Sequence, residues 1–200
     1  MCPRKKEDNE KIREQASNRL VQGALKVFAK HGYHASSMAE IAKEAGVSKG
    51  LAYHYFTSKE DLLVRIAEQR LQQYFPLFKA LNEIVDAEER LCFLINFVSD
   101  ELVKKTDELR FYNALYLHAD GVRAIGEAMK QYQDQFDQQF LAEEKLLKDL
   151  GFANPELEAI FLRSTIQGIS LEYILNPKDY PLEQMKEMLI SRYTIKKDTK

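Results

Sequence analysis

The four histidines are the chain's most direct offer of metal or acid–base chemistry, and they fall at positions 31, 34, 54 and 118 of 200. Only His31 and His34 are close in sequence. They straddle Gly32 and Tyr33 in an expected turn with no third ligand nearby, so the spacing implies no metal site. Cys2 and Cys92 lie far apart and show no ligand spacing, which makes reduced thiols the expectation. No G-x-S-x-G, P-loop or G-x-G-x-x-G stretch occurs, and the carboxylates are spread over helix surfaces where they solvate the chain. An enzyme is not expected, and neither is a cofactor.

A different chemistry is on offer between residues 37 and 59. Ser37, Ser48 and Ser58 each precede a helical stretch. Helix N-termini present free N–H groups and partial positive charge, the combination that receives a phosphate. Lys59 adds a full charge beside the third of these starts. Ser48, Lys49, Gly50, Leu51, Tyr53 and His54 place hydroxyl, cation and aromatic edge on the outer side of one short helix, and Gly50 leaves room for close approach. Such a set suits base edges in the major groove. Charge agrees: residues 1–60 hold eleven Lys/Arg against seven Asp/Glu, and residues 61–200 eighteen against twenty-four, within a net charge of −2. A basic front on an acidic body points to a polyanion at one end only.

The elements that position these groups are helices throughout. No stretch alternates polar and apolar residues between turns, so the fold class is all-α. Leu20, Ala24, Val27 and Phe28 share one face of a first helix that Gly32 stops. Ser37-Met38-Ala39-Glu40 is a capping box opening a short second helix, ended by Gly46 in a left-handed cap with Val47 closing it. Ser48 caps a third helix running to about Phe56. Ile41 and Ala42 face back onto the first helix, so the third stands out from the body. Ser58 starts a fourth helix with Leu62 and Ile66 on its inner side, and Pro76 ends or kinks it near an expected domain boundary. Three segments follow: a helix-turn-helix domain over 1–57, a connecting helix over 58–76, and a larger helical domain over 77–200. Within the last, helices are expected over Asp86–Lys105, Asp107–Ala119, Gly121–Leu150, Pro155–Leu175 and Leu182–Ile195.

From Arg19 to Leu63 the sequence resembles the TetR family of bacterial transcriptional regulators. Ala24, Phe28, Gly32-Tyr33, Ser37-Met38, Ile41-Ala42 and Ala45-Gly46-Val47-Ser48 carry the resemblance, followed by Gly50, Tyr53, Tyr55-Phe56, Ser58-Lys59-Glu60 and Leu62. It implies that Ser37 and Lys59 touch the phosphate backbone, that Ser48, Lys49, Gly50, Tyr53 and His54 form the recognition surface, and that Tyr55 and Phe56 are core. Ala52 departs from the pattern, standing where the family usually has a larger aliphatic residue. Arg4-Lys5-Lys6 reads as a solubilising tail, with a minor-groove arm as the other reading.

The resemblance also implies a variable effector-binding and dimerisation domain. The aromatics Phe93, Phe97, Tyr112, Tyr116, Tyr132 and Phe136 are the expected lining of a pocket for a small hydrophobic effector, with His118 and Arg110 supplying polarity; plain core is the alternative. Leu157, Phe161, Ser164, Gly168, Leu171 and Leu175 form a stripe with small residues at its middle. With Leu182, Met185 and Leu189 it is expected to complete a four-helix bundle with a second copy, an internal core being the other reading. The implied protein is a homodimeric repressor on a palindromic DNA operator, released when effector shifts its conformational population. An activator, or a DNA-binding protein of low sequence specificity without effector control, remains the rival. Apolar runs fall far short of the ~20 residues of a membrane span, and the basic start is followed by Glu7 and Asp8 rather than an apolar stretch, so a cytoplasmic location is expected.

Overall fold

The computed structural model describes the backbone of residues 6–116 and 118–194, and the side chains of 13–106, 108–114 and 118–194. The expectations for the Arg4-Lys5-Lys6 and Tyr116 side chains lie outside these residues. The described residues form helices joined by short turns, with no strand among them. In chain order the helices are α1 (Lys6–His31), α2 (Met38–Glu44), α3 (Lys49–Tyr55), α4 (Lys59–Gln72), α5 (Phe75–Glu83) and α6 (Ala87–Lys104). They continue with α7 (Thr106–Tyr116), α8 (Ala119–Gln131), α9 (Gln133–Asp149), α10 (Pro155–Leu175) and α11 (Leu182–Thr194). Two compact units result: residues 1–71 with 115–130, and residues 72–114 with 131–200. Residues 115–130 thus cluster with the amino-terminal unit, although the chain-order reading ran the second domain unbroken from residue 77.

In the amino-terminal unit α1 buries Ala16, Leu20, Val21, Ala24, Val27 and Phe28, which recur every three or four residues as a single buried helix face requires. The α2 start is the expected capping box: Glu40 N–H donates to Ser37 Oγ at 3.2 Å, and Ser37 N–H donates back to the Glu40 carboxylate at 2.8 Å. Gly46 has φ +66°, and Val47 N–H donates to Ala42 O at 3.0 Å across it. This left-handed residue redirects the chain into α3 within a few residues. Between α1 and α2 the backbones come very close. A Cβ built on Gly23 would lie 3.0 Å from Ala45 N and 3.1 Å from Ile41 O, so any side chain at position 23 would press the α2 backbone back by a few tenths of an ångström.

The second unit packs α6, α9, α10 and α11 around Leu91, Ile95, Leu146, Leu147, Ala159, Leu162, Leu189 and Tyr193. A smaller cluster joins Leu102, Ile174 and Leu182. Three expectations need correction here. The helix expected over Gly121–Leu150 is two helices, broken at Tyr132 (φ −116°, ψ 25°), a break with no Gly or Pro to signal it. The Tyr132 ring lies 5.4 Å from that of Phe75, and its hydroxyl accepts from Gln72 Nε2, so tertiary contacts hold the kink. Pro76 occupies the first turn of α5, where its missing N–H leaves no bond unmade, and α4 already ends at Gln72. Finally, the helix expected over Asp107–Ala119 ends at Tyr116, and α8 begins at Ala119.

Substituting Gly23→Val should force α1 and α2 apart. Overpacking of this kind costs about 1–3 kcal/mol, which lowered stability in urea unfolding followed by circular dichroism would register.

Candidate nucleic-acid interface

The outer side of α3 is built by what its inner side buries. Ala52 is fully buried and Phe56 nearly so, while Ser48, Lys49, Gly50, Leu51, Tyr53 and His54 are exposed and Tyr55 is half-buried. The small Ala52 lets the helix sit close against the body, and the exposed Leu51 does not replace the missing aliphatic bulk. Ser48 Oγ accepts from Leu51 N–H at 3.1 Å and so caps α3. The Lys49 ammonium lies 5.9 Å from the centre of the Tyr53 ring, a loose cation–π pairing that keeps both on the solvent side. Nothing stands within 4 Å of a Cβ built on Gly50, so this stretch of backbone is open to a partner.

Ser37 is exposed at the α2 start, but its hydroxyl and its N–H both engage Glu40. Those hydrogen bonds hold the Glu40 carboxyl below its ordinary pKa. A phosphate arriving at Ser37 has to share these donors with a carboxylate already in place.

Lys59 departs from expectation. Its Nζ donates to Tyr33 O at 2.9 Å, to His34 O at 3.2 Å and to Ser36 O at 2.7 Å. The ammonium also lies 4.8 Å from the centre of the Tyr33 ring. An ammonium has three N–H donors, and here all three close on the α1–α2 loop. The side chain therefore clasps that loop to the start of α4 instead of projecting toward a phosphate. Tyr33 strengthens the same joint: its hydroxyl donates to Glu60 Oε1 at 3.0 Å. Burial, then this hydrogen bond, push its phenol well above the ordinary value. The Glu60 carboxyl is held low by its own N–H and the Ser58 hydroxyl, with Tyr33 adding to them.

Of the six expected pocket aromatics, the five whose side chains are described line none of the clefts described in the second unit. Tyr112 is buried, Phe97 is half-buried, and Phe93 is 40% exposed. Tyr132 and Phe136 flank Phe75, with ring centres 5.4 and 6.1 Å away. Two narrow clefts in the second unit, of about 10 and 30 Å³, are lined by other residues, among them Ile95 and Ile169 in one and Leu81 and Leu94 in the other. A drug-sized ligand needs several hundred Å³. Arg110 is exposed and donates to Ile174 O at 3.1 Å, while His118 belongs to the amino-terminal unit. A wider cleft of about 650 Å³ lies in the amino-terminal unit between Tyr33, Glu60, Val64, Asp120, Arg123 and Glu127.

Along α10 the stripe is open to solvent. Leu157, Phe161, Ser164, Gly168, Leu171 and Leu175 are all exposed, and Ile160 beside them is 46% exposed. On α11 Met185 is half-buried. Leu182 and Leu189 correct the reading, because both sit in the chain's own core clusters and offer almost no surface. Met188, 64% exposed, is the α11 residue that continues the apolar face. Its place three residues after Met185 was the available signal.

A short capped helix projecting from a glycine turn, on a base of two packed helices, defines a helix-turn-helix DNA-binding protein that also carries a larger helical domain. Residues 20–66 match the model of the bacterial regulatory proteins of the tetR family. Over these residues the chain carries the helix-turn-helix domain of the TetR family of transcriptional regulators. It is 35% identical over 78 residues to the fatty acid metabolism regulator protein of Bacillus subtilis, a match covering 38% of this chain and 40% of that protein. The transcriptional regulator BetI of Vibrio campbellii is 29% identical over 197 residues, 90% of either chain. Among solved structures, FadR of Bacillus subtilis in complex with stearoyl-CoA superposes with a TM-score of 0.67 at 23% identity, covering 88% of this chain and 96% of that one. No helix among the described residues is long and apolar enough to cross a membrane.

Lys59→Met keeps the length of the side chain but leaves the carbonyls of Tyr33, His34 and Ser36 without their donor. Charged hydrogen bonds of this kind contribute about 1.5–3 kcal/mol, so the thermal midpoint should fall. An unchanged midpoint would mean that the loop holds itself.

Proposed function

We propose that this protein is a cytoplasmic, homodimeric repressor that binds a palindromic DNA operator and is released by a small hydrophobic effector. The observation that carries the reading is the outer side of α3, where Ser48, Lys49, Gly50, Tyr53 and His54 face solvent while Ala52 and Phe56 anchor the helix from behind. In this reading those five side chains meet base edges and backbone in the major groove, and Ser37 meets a phosphate. One such helix reads only a few base pairs. Two helices held about 34–36 Å apart read a palindrome on one face of the duplex.

The exposed apolar face of α10 with Met185 and Met188 supports pairing, since a contiguous apolar surface rimmed by polar residues marks an interaction site. The effector reading draws on the relatives: one is named for fatty acid metabolism, and one solved structure holds stearoyl-CoA. In this chain the effector occupies the second unit. The two clefts described there are too small for it, so in this reading its helices part on binding, and ligand affinity includes the cost of that opening.

Fragments selected from a random DNA pool by the purified protein should converge on an inverted repeat, retained over unrelated DNA by ~10³-fold or more. Tyr53→Ala and His54→Ala should abolish that preference with helix content intact; an unchanged preference would remove α3 from the reading. By light scattering the wild type should be a dimer at micromolar concentration and Leu175→Glu a monomer. Stearoyl-CoA should release the operator in a gel-shift titration if acyl chains are the effector class, and unchanged affinity at saturation would exclude them.

A further inference from the structure

In the amino-terminal unit three metal-ligating side chains from distant parts of the sequence come together. His34, in the loop between α1 and α2, places Nε2 2.7 Å from Nε2 of His118, which directly precedes α8. Asp120, in the first turn of α8, places Oδ2 3.8 Å from His34 Nε2 and 3.6 Å from His118 Nδ1. One donor atom from each residue can be chosen so that all three lie within 4.8 Å of one another. From these residues we infer a binding site for a first-row divalent transition metal ion, Zn²⁺ or a similar ion, that nothing in the DNA-reading function requires.

The chemistry of the donor set fits. Two imidazoles and one carboxylate are the ligands that Zn²⁺ and its neighbours take, at about 2.0–2.2 Å each. Two donors at that distance from a tetrahedral ion stand ~3.3 Å apart. The pair at 2.7 Å has to open by about half an ångström, and the carboxylate, 3.8 Å from His34 Nε2 and within 4.8 Å of the His118 donor, has to close on both. His34 is mostly exposed on its loop and is free to make that adjustment. Without a cation the facing nitrogens make one hydrogen bond, one ring donating and the other accepting. A metal ion uses the lone pairs of both.

The surroundings support the same assignment. Arg123 donates to Asp120 Oδ1 at 2.8 Å, fixing the carboxylate while Oδ2 stays turned toward the histidines. Such supporting contacts orient ligands in metal sites. Asp120 also lines the 650 Å³ cleft, a route by which an ion can reach its carboxylate. Glu60, Asp61 and Glu127 line the same cleft and favour cation entry, against Arg123 alone. The bound ion would tie the α1–α2 loop, whose carbonyls Lys59 clasps, to the start of α8.

The test uses the 200-residue chain free of any histidine tag. Titration with zinc chloride in a calorimeter should show one saturable ion per chain, and Co²⁺ should develop the visible d–d absorption of a site with nitrogen and oxygen ligands. His34→Ala and His118→Ala should each weaken binding by at least ~10-fold, since even altering a ligand's support does as much. His31→Ala, exposed at the end of α1, should bind like the wild type. If His118→Ala loses helix content, the exposed His34→Ala decides by itself. No saturable binding by the wild type, or equal binding by His34→Ala, overturns the site.

Discussion

The amino-terminal unit rests on one close approach. At Gly23 the backbone of α1 meets Ala45 and Ile41 at the end of α2 with no side chain between them. That distance fixes how deep α2 sits, and the positive φ of Gly46 then fixes the direction in which α3 leaves. The recognition surface is consequently a property of two glycines as much as of the polar residues displayed on it. Neither glycine contacts a partner in this arrangement, yet the outward orientation of Tyr53 and His54 depends on both.

The legibility of this unit in the sequence has a physical reason. Caps, glycine stops and helical spacing are local signals, and the Ser37-to-Glu40 box, the Gly46 turn and the Ser48 cap are all decided within a few residues of one another. The roles of Lys59 and His34 are not legible in the sequence because their partners are distant. Lys59 reaches carbonyls 23 to 26 residues earlier, and His34 meets a histidine 84 residues later. Spacing along the chain carries no trace of either contact. The same limit explains Tyr132, where two neighbours from α4 and α5 break a helix that its own residues would continue.

In the second unit the sequence pattern gives apolar periodicity without saying which apolar residue faces its own chain and which faces a neighbour. Leu189 and Met188 are adjacent in α11, and they divide, one in the core and one exposed. Both belong to an amphipathic helix, and only the placement of α6 and α10 decides between them. The aromatics meet the same ambiguity. Phe93 and Tyr112 lie on neighbouring helices and differ from exposed to buried, so aromatic content alone does not outline a cavity.

The clasp at Lys59 has a consequence for which cation can stand there. An ammonium directs three hydrogens around a point, and they converge on the oxygens of Tyr33, His34 and Ser36. A guanidinium spreads five hydrogens in one plane, a shape made for a flat carboxylate or phosphate and ill suited to three carbonyls gathered about one centre. Arginine at this position would preserve the charge and lose the fit, so an exchange counted as conservative elsewhere is a change of geometry here.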